Sequence, residues 1–155
     1  MWGRRLRYLL TLTALCAIAT CPAAKRSCTA KNRSREAENL LNVLADRVAT
    51  SVATTGKVPP TPAGPTPQTS CCEQGGACKA DPSAWSAQGW RELQFSVDGP
   101  YRYTYQYTPD DNGLGATVRA VGDLDCDGVP AVYEMRLTVL GTITRRTWRR
   151  KDPYE

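Results

Sequence analysis

The chain has 155 residues, a formal charge of +5 and no histidine. That length suits one domain with small extras, and the missing imidazole removes the commonest general base, the usual activator of nucleophiles and a major zinc ligand. The basic residues gather at the ends without a recognition motif, which argues against a nucleic-acid partner.

Arg4, Arg5 and Arg7 precede an apolar stretch at residues 8–19, and Ala17-Ile18-Ala19 supplies small residues before a cleavage point. A basic lead, a short apolar run and a small-x-small end are the parts of a secretory signal. The run is short for a membrane span, which needs about 20 residues. Residues 1–24 are therefore expected to be a signal peptide or an N-terminal anchor, with lipidation of Cys21 a third way to stay at the membrane. Cutting after Ala19 removes Cys16 and leaves six cysteines, Cys21, Cys28, Cys71, Cys72, Cys78 and Cys126. An even set suits disulfides outside the cytosol, with the pairing left open. No C-x-x-C pair is present, which excludes a thioredoxin-like site or a zinc knuckle. Removing Arg4, Arg5 and Arg7 takes the charge from +5 to +2, and Arg145, Arg146, Arg149, Arg150 and Lys151 alone supply five positive charges. The mature body is mildly acidic with a basic end.

Residues 25–56 form the next unit, a basic lead and then a helix expected over residues 34–55. Ser34 is a candidate N-cap, and Glu36 and Glu38 suit the positive end of the helix dipole. Leu40, Leu41, Leu44, Val48 and Val52 recur at spacings of three and four, an apolar stripe, and Gly56 is a stop signal. Residues 57–70 contain Pro59, Pro60, Pro62, Pro65 and Pro67. Repeated proline withholds backbone donors, so this segment is expected to be an extended connector.

Residues 71–150 are expected to be a sheet domain, followed by a tail at 151–155. It opens with the glycine-rich, cysteine-bearing run 71–78, then Trp85 and Trp90 as aromatic anchors in a short helical turn. Strands are predicted at 93–97, at 101–108, at 116–124, at 132–140 and, after Gly141, in a short fifth strand ending near Trp148. Tyr101, Tyr103, Tyr105 and Tyr107 alternate with polar residues, and the plainer reading of that stripe is a buried strand face rather than a ligand-stacking platform.

Residues 123–134 match the calcium-loop pattern D-x-[DN]-x-[DN]-G-x5-E at every constrained position. Asp123, Asp125 and Asp127 would supply side-chain oxygens, Val129 a backbone carbonyl and Glu134 a last carboxylate, while Gly128 allows the tight turn. Hard oxygen donors select Ca²⁺ over transition metals. The flanks are strand formers rather than helices, and Pro130 lacks the N–H with which such a loop pairs to a partner. The expectation is a lone structural calcium site between two strands.

Cys71-Cys72, Cys78, Trp85, Trp90, the run 93–100 (Leu-Gln-Phe-Ser-Val-Asp-Gly-Pro) and the run 120–129 together resemble the globular head of bacterial type IV pilin-like, or fimbrial, proteins. Residues 34–40 resemble the helix that follows the membrane-embedded half of such proteins, so the likeness spans residues 34–140. It implies an α+β fold, with an N-terminal amphipathic helix packed on a small antiparallel sheet and disulfide-stapled loops. It also implies a secreted or surface-held structural or adhesive role without catalysis, protein partners in a pilus-like assembly, and a location outside the cell, on its surface or in the periplasm. An alternative is an accessory pseudopilin-like component of a pilus or secretion machine, held at the membrane by its N-terminal segment. The chain departs from the family in lacking the prepilin processing site. It also carries Cys126 where relatives tend to have glycine, for which pairing with Cys21 or Cys28 is the expectation. A metal-assisted hydrolase is the least supported class, because no histidine or Lys-Ser constellation accompanies the carboxylates.

Overall fold

The computed structural model describes residues 32–153. The expectations for residues 1–24, for Cys21 and Cys28 and for the last two residues of the tail lie outside the described residues.

A helix runs over residues 32–55 (α1). Ala37, Leu41, Leu44, Ala45, Val48 and Val52 are fully buried, which is the stripe that spacings of three and four dictate. It is already helical at residue 32, so Ser34 lies inside the helix rather than capping it. The stop is as expected: Gly56 takes φ +72 and its N–H donates to the Val52 carbonyl at 2.8 Å.

The rest of the described residues are dominated by five strands: β1 (Ala63–Thr66), β2 (Thr104–Pro109), β3 (Gly115–Gly122), β4 (Ala131–Leu140) and β5 (Ile143–Lys151). They follow one another in the sheet, and every neighbouring pair is antiparallel. This overturns the expected α+β class with its small sheet. Among the described residues the protein is mostly a five-stranded antiparallel sheet, with one helix of seven or more residues. The number of strands is as expected but their identity is not: β5 extends to nine residues, and the proline-rich connector contributes a strand of its own while 93–97 contributes none.

That strand, β1, is an edge, where missing amide donors are tolerated. The Gly64–Pro65 and Thr66–Pro67 bonds are cis. Gly64 sits at φ +80, and a Cβ there would lie 2.3 Å from the Tyr105 carbonyl oxygen, so no side chain fits between β1 and β2. Trp90, in the short helix α2 (Gln88–Glu92), donates from Nε1 to Thr66 Oγ1 at 2.8 Å and so fastens β1 from its other side. A 3₁₀ turn at Pro82–Trp85 brings Trp85 to within 5.2 Å of the Trp90 ring and 5.5 Å of Phe95.

The predicted strand at 93–97 does not form. Leu93, Phe95 and Val97 are buried alternately, which is the pattern the sequence displays, yet the segment joins no ladder. Gln94 at φ +49 and the bond from Phe95 N–H to the Trp90 carbonyl (3.1 Å) make it the unwinding end of α2. The tyrosine stripe is core, as the plainer reading had it: Tyr101, Tyr103, Tyr105 and Tyr107 are all buried. Large rings face small partners across the strands, Tyr105 opposite Ala120 and Tyr107 opposite Val118. Burial raises the pKa of all four phenols, and for Tyr105 the nearby Glu36 adds to the rise.

Polar links also run from α1 to the strands. Glu36 accepts from the Arg102 backbone N–H at 2.7 Å and from the Tyr105 hydroxyl at 3.3 Å. Asp46 pairs with Arg146 at 2.5 Å and Glu38 with Arg150 at 2.9 Å.

Candidate metal centre

β3 ends at Gly122 and β4 starts at Ala131, so the acidic run occupies the connection 123–130. It curls around the Asp123 carboxylate. Oδ1 accepts from the backbone N–H of Cys126 (2.7 Å) and Asp127 (3.2 Å), and Oδ2 accepts from Gly128 (2.8 Å). Asp127 repeats the device one step on, accepting from the Val129 N–H at 2.8 Å. Asp readily closes such turns on its own backbone. Gly128 at φ +95 supplies the left-handed step expected of it. Cys126 takes φ +63 as well, a conformation that non-glycine residues enter rarely.

The result gathers carboxylate oxygens of Asp123, Asp125 and Asp127 within 4.8 Å of one another. Asp125 and Asp127 are exposed and Asp123 half-buried. Two unit charges at that separation repel by roughly 1 kcal/mol even in water. The backbone donors compensate Asp123 most, with three bonds, and leave Asp125 without any hydrogen bond among the described residues. All the side-chain donors are hard oxygens, because Cys126 is in a disulfide. The set therefore suits a divalent cation that prefers oxygen ligands.

Glu134 is not part of this group. It stands in β4, opposite Arg119 of β3 and Arg149 of β5, on the sheet face turned away from the core. The loop pattern assigns it the last ligand position, but that pattern presumes an exiting helix, and a strand carries the residue away at about 3.3 Å per position. Val129 enters the loop through its N–H, and its side chain is exposed.

Among the described residues two disulfides are present, Cys71–Cys78 and Cys72–Cys126, with Cα separations of 4.8 and 5.6 Å. Adjacent cysteines thus serve different purposes. Cys71 closes its own tight loop, in which the Gly76 N–H returns to the Cys71 carbonyl at 2.9 Å. Cys72 reaches 54 residues along the chain into the acidic loop. Cys126 therefore pairs with Cys72, not with Cys21 or Cys28. The staple is reinforced by Arg33, whose Nη1 donates to the Leu124 carbonyl at 3.1 Å, with Leu124 itself buried. Nothing in the spacing of Cys72 and Cys126 marks them as partners. The only sequence signal was a cysteine inside a turn that has no chemical need of one.

Two disulfides suit an oxidising, extracytoplasmic compartment. Among the described residues, no helix is long and apolar enough to cross a membrane. An open cleft of about 580 Å³ lies between the end of α1 and the β2–β3 connection, lined in part by Ser51, Thr55, Lys57 and Asp110. The Asp110 carboxylate there is gripped by both terminal nitrogens of Arg136, which holds its pKa below the usual carboxylate value.

No family model matches the chain, and neither the curated proteins nor the solved structures yield a significant match.

Proposed function

We propose that this is a secreted or surface-held structural or adhesive protein of pilin-like kind, not a catalyst, whose 123–130 loop takes Ca²⁺ as a structural ion. The observation that carries the reading is the stapled carboxylate group: Asp123, Asp125 and Asp127 within 4.8 Å on a loop held by a disulfide. A site tied to the fold by a covalent bond stabilises that fold when filled, because an ion that binds only the folded state shifts the equilibrium by mass action. Isolated extracellular sites of this ligand count have dissociation constants of about 10⁻⁴–10⁻³ M and fill in a calcium-rich medium.

The test is a thermal melt of the oxidised protein in excess EDTA and in millimolar Ca²⁺. At about ten times the dissociation constant the ion adds about 1.4 kcal/mol, a rise in Tm of about 4–8 °C. Asp125→Asn abolishes the rise, and Mg²⁺, which holds its own water more tightly, gives a smaller one. Equal melting temperatures in chelator and in calcium reject the ion. For the compartment, mass spectrometry of the mature chain is decisive: a start at Thr20 is expected.

A further inference from the structure

The strand register sorts β5 into two faces with different electrostatics. On the core side, Arg146 and Arg150 stand opposite Leu137 and Tyr133, and both are paired with acids of α1. On the outer side, Arg145, Arg149 and Lys151 stand opposite Thr138, Glu134 and Val132. Arg119 continues that outer row on β3, directly across from Glu134. Among the described residues, Arg119, Arg145 and Arg149 form no ion pair within 4.0 Å, while Lys151 pairs with Asp152 at 3.9 Å and Arg136, on the same face, with Asp110. The same outer face carries Leu140 and Ile143, a directly opposed cross-strand pair at the β4–β5 turn, 44% and 65% exposed. No aromatic side chain of β2–β5 belongs to this face, since the tyrosines and Trp148 alternate to the other.

We propose that this outer face docks on an anionic lipid surface, with the arginine row against the headgroups and Leu140 and Ile143 entering the interface. A basic edge strand is a common defence against edge-to-edge pairing. That accounts for charge on β5 but not for Arg119, which lies inside the sheet, nor for an exposed aliphatic pair beside the charges. A nucleic acid single strand would want rings to stack on, and the face offers none. A sugar polymer would use the cations and leave Leu140 and Ile143 unexplained. Charge attraction combined with a small apolar insertion is the recognition chemistry of an anionic bilayer. The inference extends the surface-held reading but rests on residues outside the acidic loop, so its test is run in excess EDTA, where the calcium reading has no part.

The experiment is co-sedimentation of the full mature chain with phosphatidylglycerol vesicles and with phosphatidylcholine vesicles in about 0.1 M salt. Binding is expected to the anionic vesicles alone and to weaken at higher salt. The double variant Arg145→Gln/Arg149→Gln loses about thirtyfold in partitioning, counting about fivefold per arginine. Ile143→Ser loses about tenfold without altering the salt dependence. Arg47→Gln, a change on exposed α1, leaves binding unchanged. Equal partitioning of wild type and double variant overturns the proposal, as does binding to soluble heparin with none to vesicles. So does a double variant that merely aggregates on gel filtration with its vesicle binding intact, which would leave edge protection as the role of the charges.

Discussion

The two connections that flank β3 have nearly the same composition and opposite electrostatics. The one before it, residues 110–114, reads Asp-Asp-Asn-Gly-Leu, and the one after it begins Asp-Leu-Asp-Cys-Asp-Gly. The first is a closed turn: the Asp110 N–H meets the Gly115 carbonyl at 2.8 Å, the Gly113 N–H meets the Asp110 carbonyl at 3.0 Å, and Arg136 neutralises the Asp110 side chain. In the second, no basic side chain among the described residues is paired with the carboxylates. The loop is held instead by a covalent bond to Cys72 and by one arginine that binds a backbone carbonyl and not an acid. Asp and Gly in a turn therefore say little about metal binding. The two loops differ in that the fold brings a guanidinium to a carboxylate of the first and, among the described residues, to none of the second.

The largest effect that separates the two loops is the loss of the long staple. Cys126→Ser together with Cys72→Ser frees a loop closed across 54 residues, for which chain entropy gives about 4 kcal/mol and measured cases typically 2–4. Opening Cys71–Cys78, which spans seven residues, is expected to cost about 2.4 kcal/mol on the same scale. Denaturant melts of the two double variants measure both. If the Cys72–Cys126 pair matters only as a cross-link, its removal lowers stability equally with and without calcium. If it also shapes the carboxylate group, the calcium-dependent rise in Tm shrinks as well, and the second outcome is the one expected.

The next effect tests the other loop. Arg136→Met removes the guanidinium from Asp110 while keeping the stem that crosses the sheet. The pair is partly exposed, 43% for Arg136 and 33% for Asp110, so the expected loss is about 1 kcal/mol, the upper end for a bidentate surface pair. Urea unfolding of the variant reads it directly. A loss near zero would mean that the backbone bonds alone close this turn, and that the contrast between the loops is one of backbone and not of charge.

How far the sequence foretold this contrast differs from part to part. Both turns were legible as turns, because Asp, Asn and Gly between alternating apolar runs have few other structures open to them. The three central strands were also legible, since period-2 alternation of tyrosine, valine and leucine leaves little choice of face. β1 was not, because five prolines hide a strand that survives only at an edge. The run 93–97 misled for the opposite reason. Its alternation is real burial, but burial against the tryptophans rather than strand pairing. At the site, the positions of Asp123, Asp125, Asp127 and Gly128 follow from local geometry and were readable. Glu134, Arg33 and Cys72 depend on what the loop is attached to, and attachment is tertiary. Arg136 is the same case: it lies 26 residues from Asp110, and only the strand register brings them together.

The smallest effect uses acid to separate the charge in the first loop from everything else. Arg136 holds the Asp110 pKa below its ordinary 3.8 in the folded protein. A depressed carboxylate adds stability that is fully present above the unfolded value and is lost as pH falls through the folded one. In wild type this contribution disappears as pH drops below about 3.8, and in Arg136→Met it is absent from the start. The difference in stability between the two proteins is therefore expected to be constant well above the ordinary carboxylate value of 3.8 and to shrink as pH falls below it. Other carboxylates titrate over the same range, but they are common to both proteins and cancel in the difference. Urea melts of both proteins at intervals from pH 5 to pH 2 make the measurement. A difference that persists undiminished at the lowest pH would show that the guanidinium acts through a contact independent of the Asp110 charge, its bond to Thr117 Oγ1 at 3.3 Å. The turn before β3 would then be no better neutralised than the one after it.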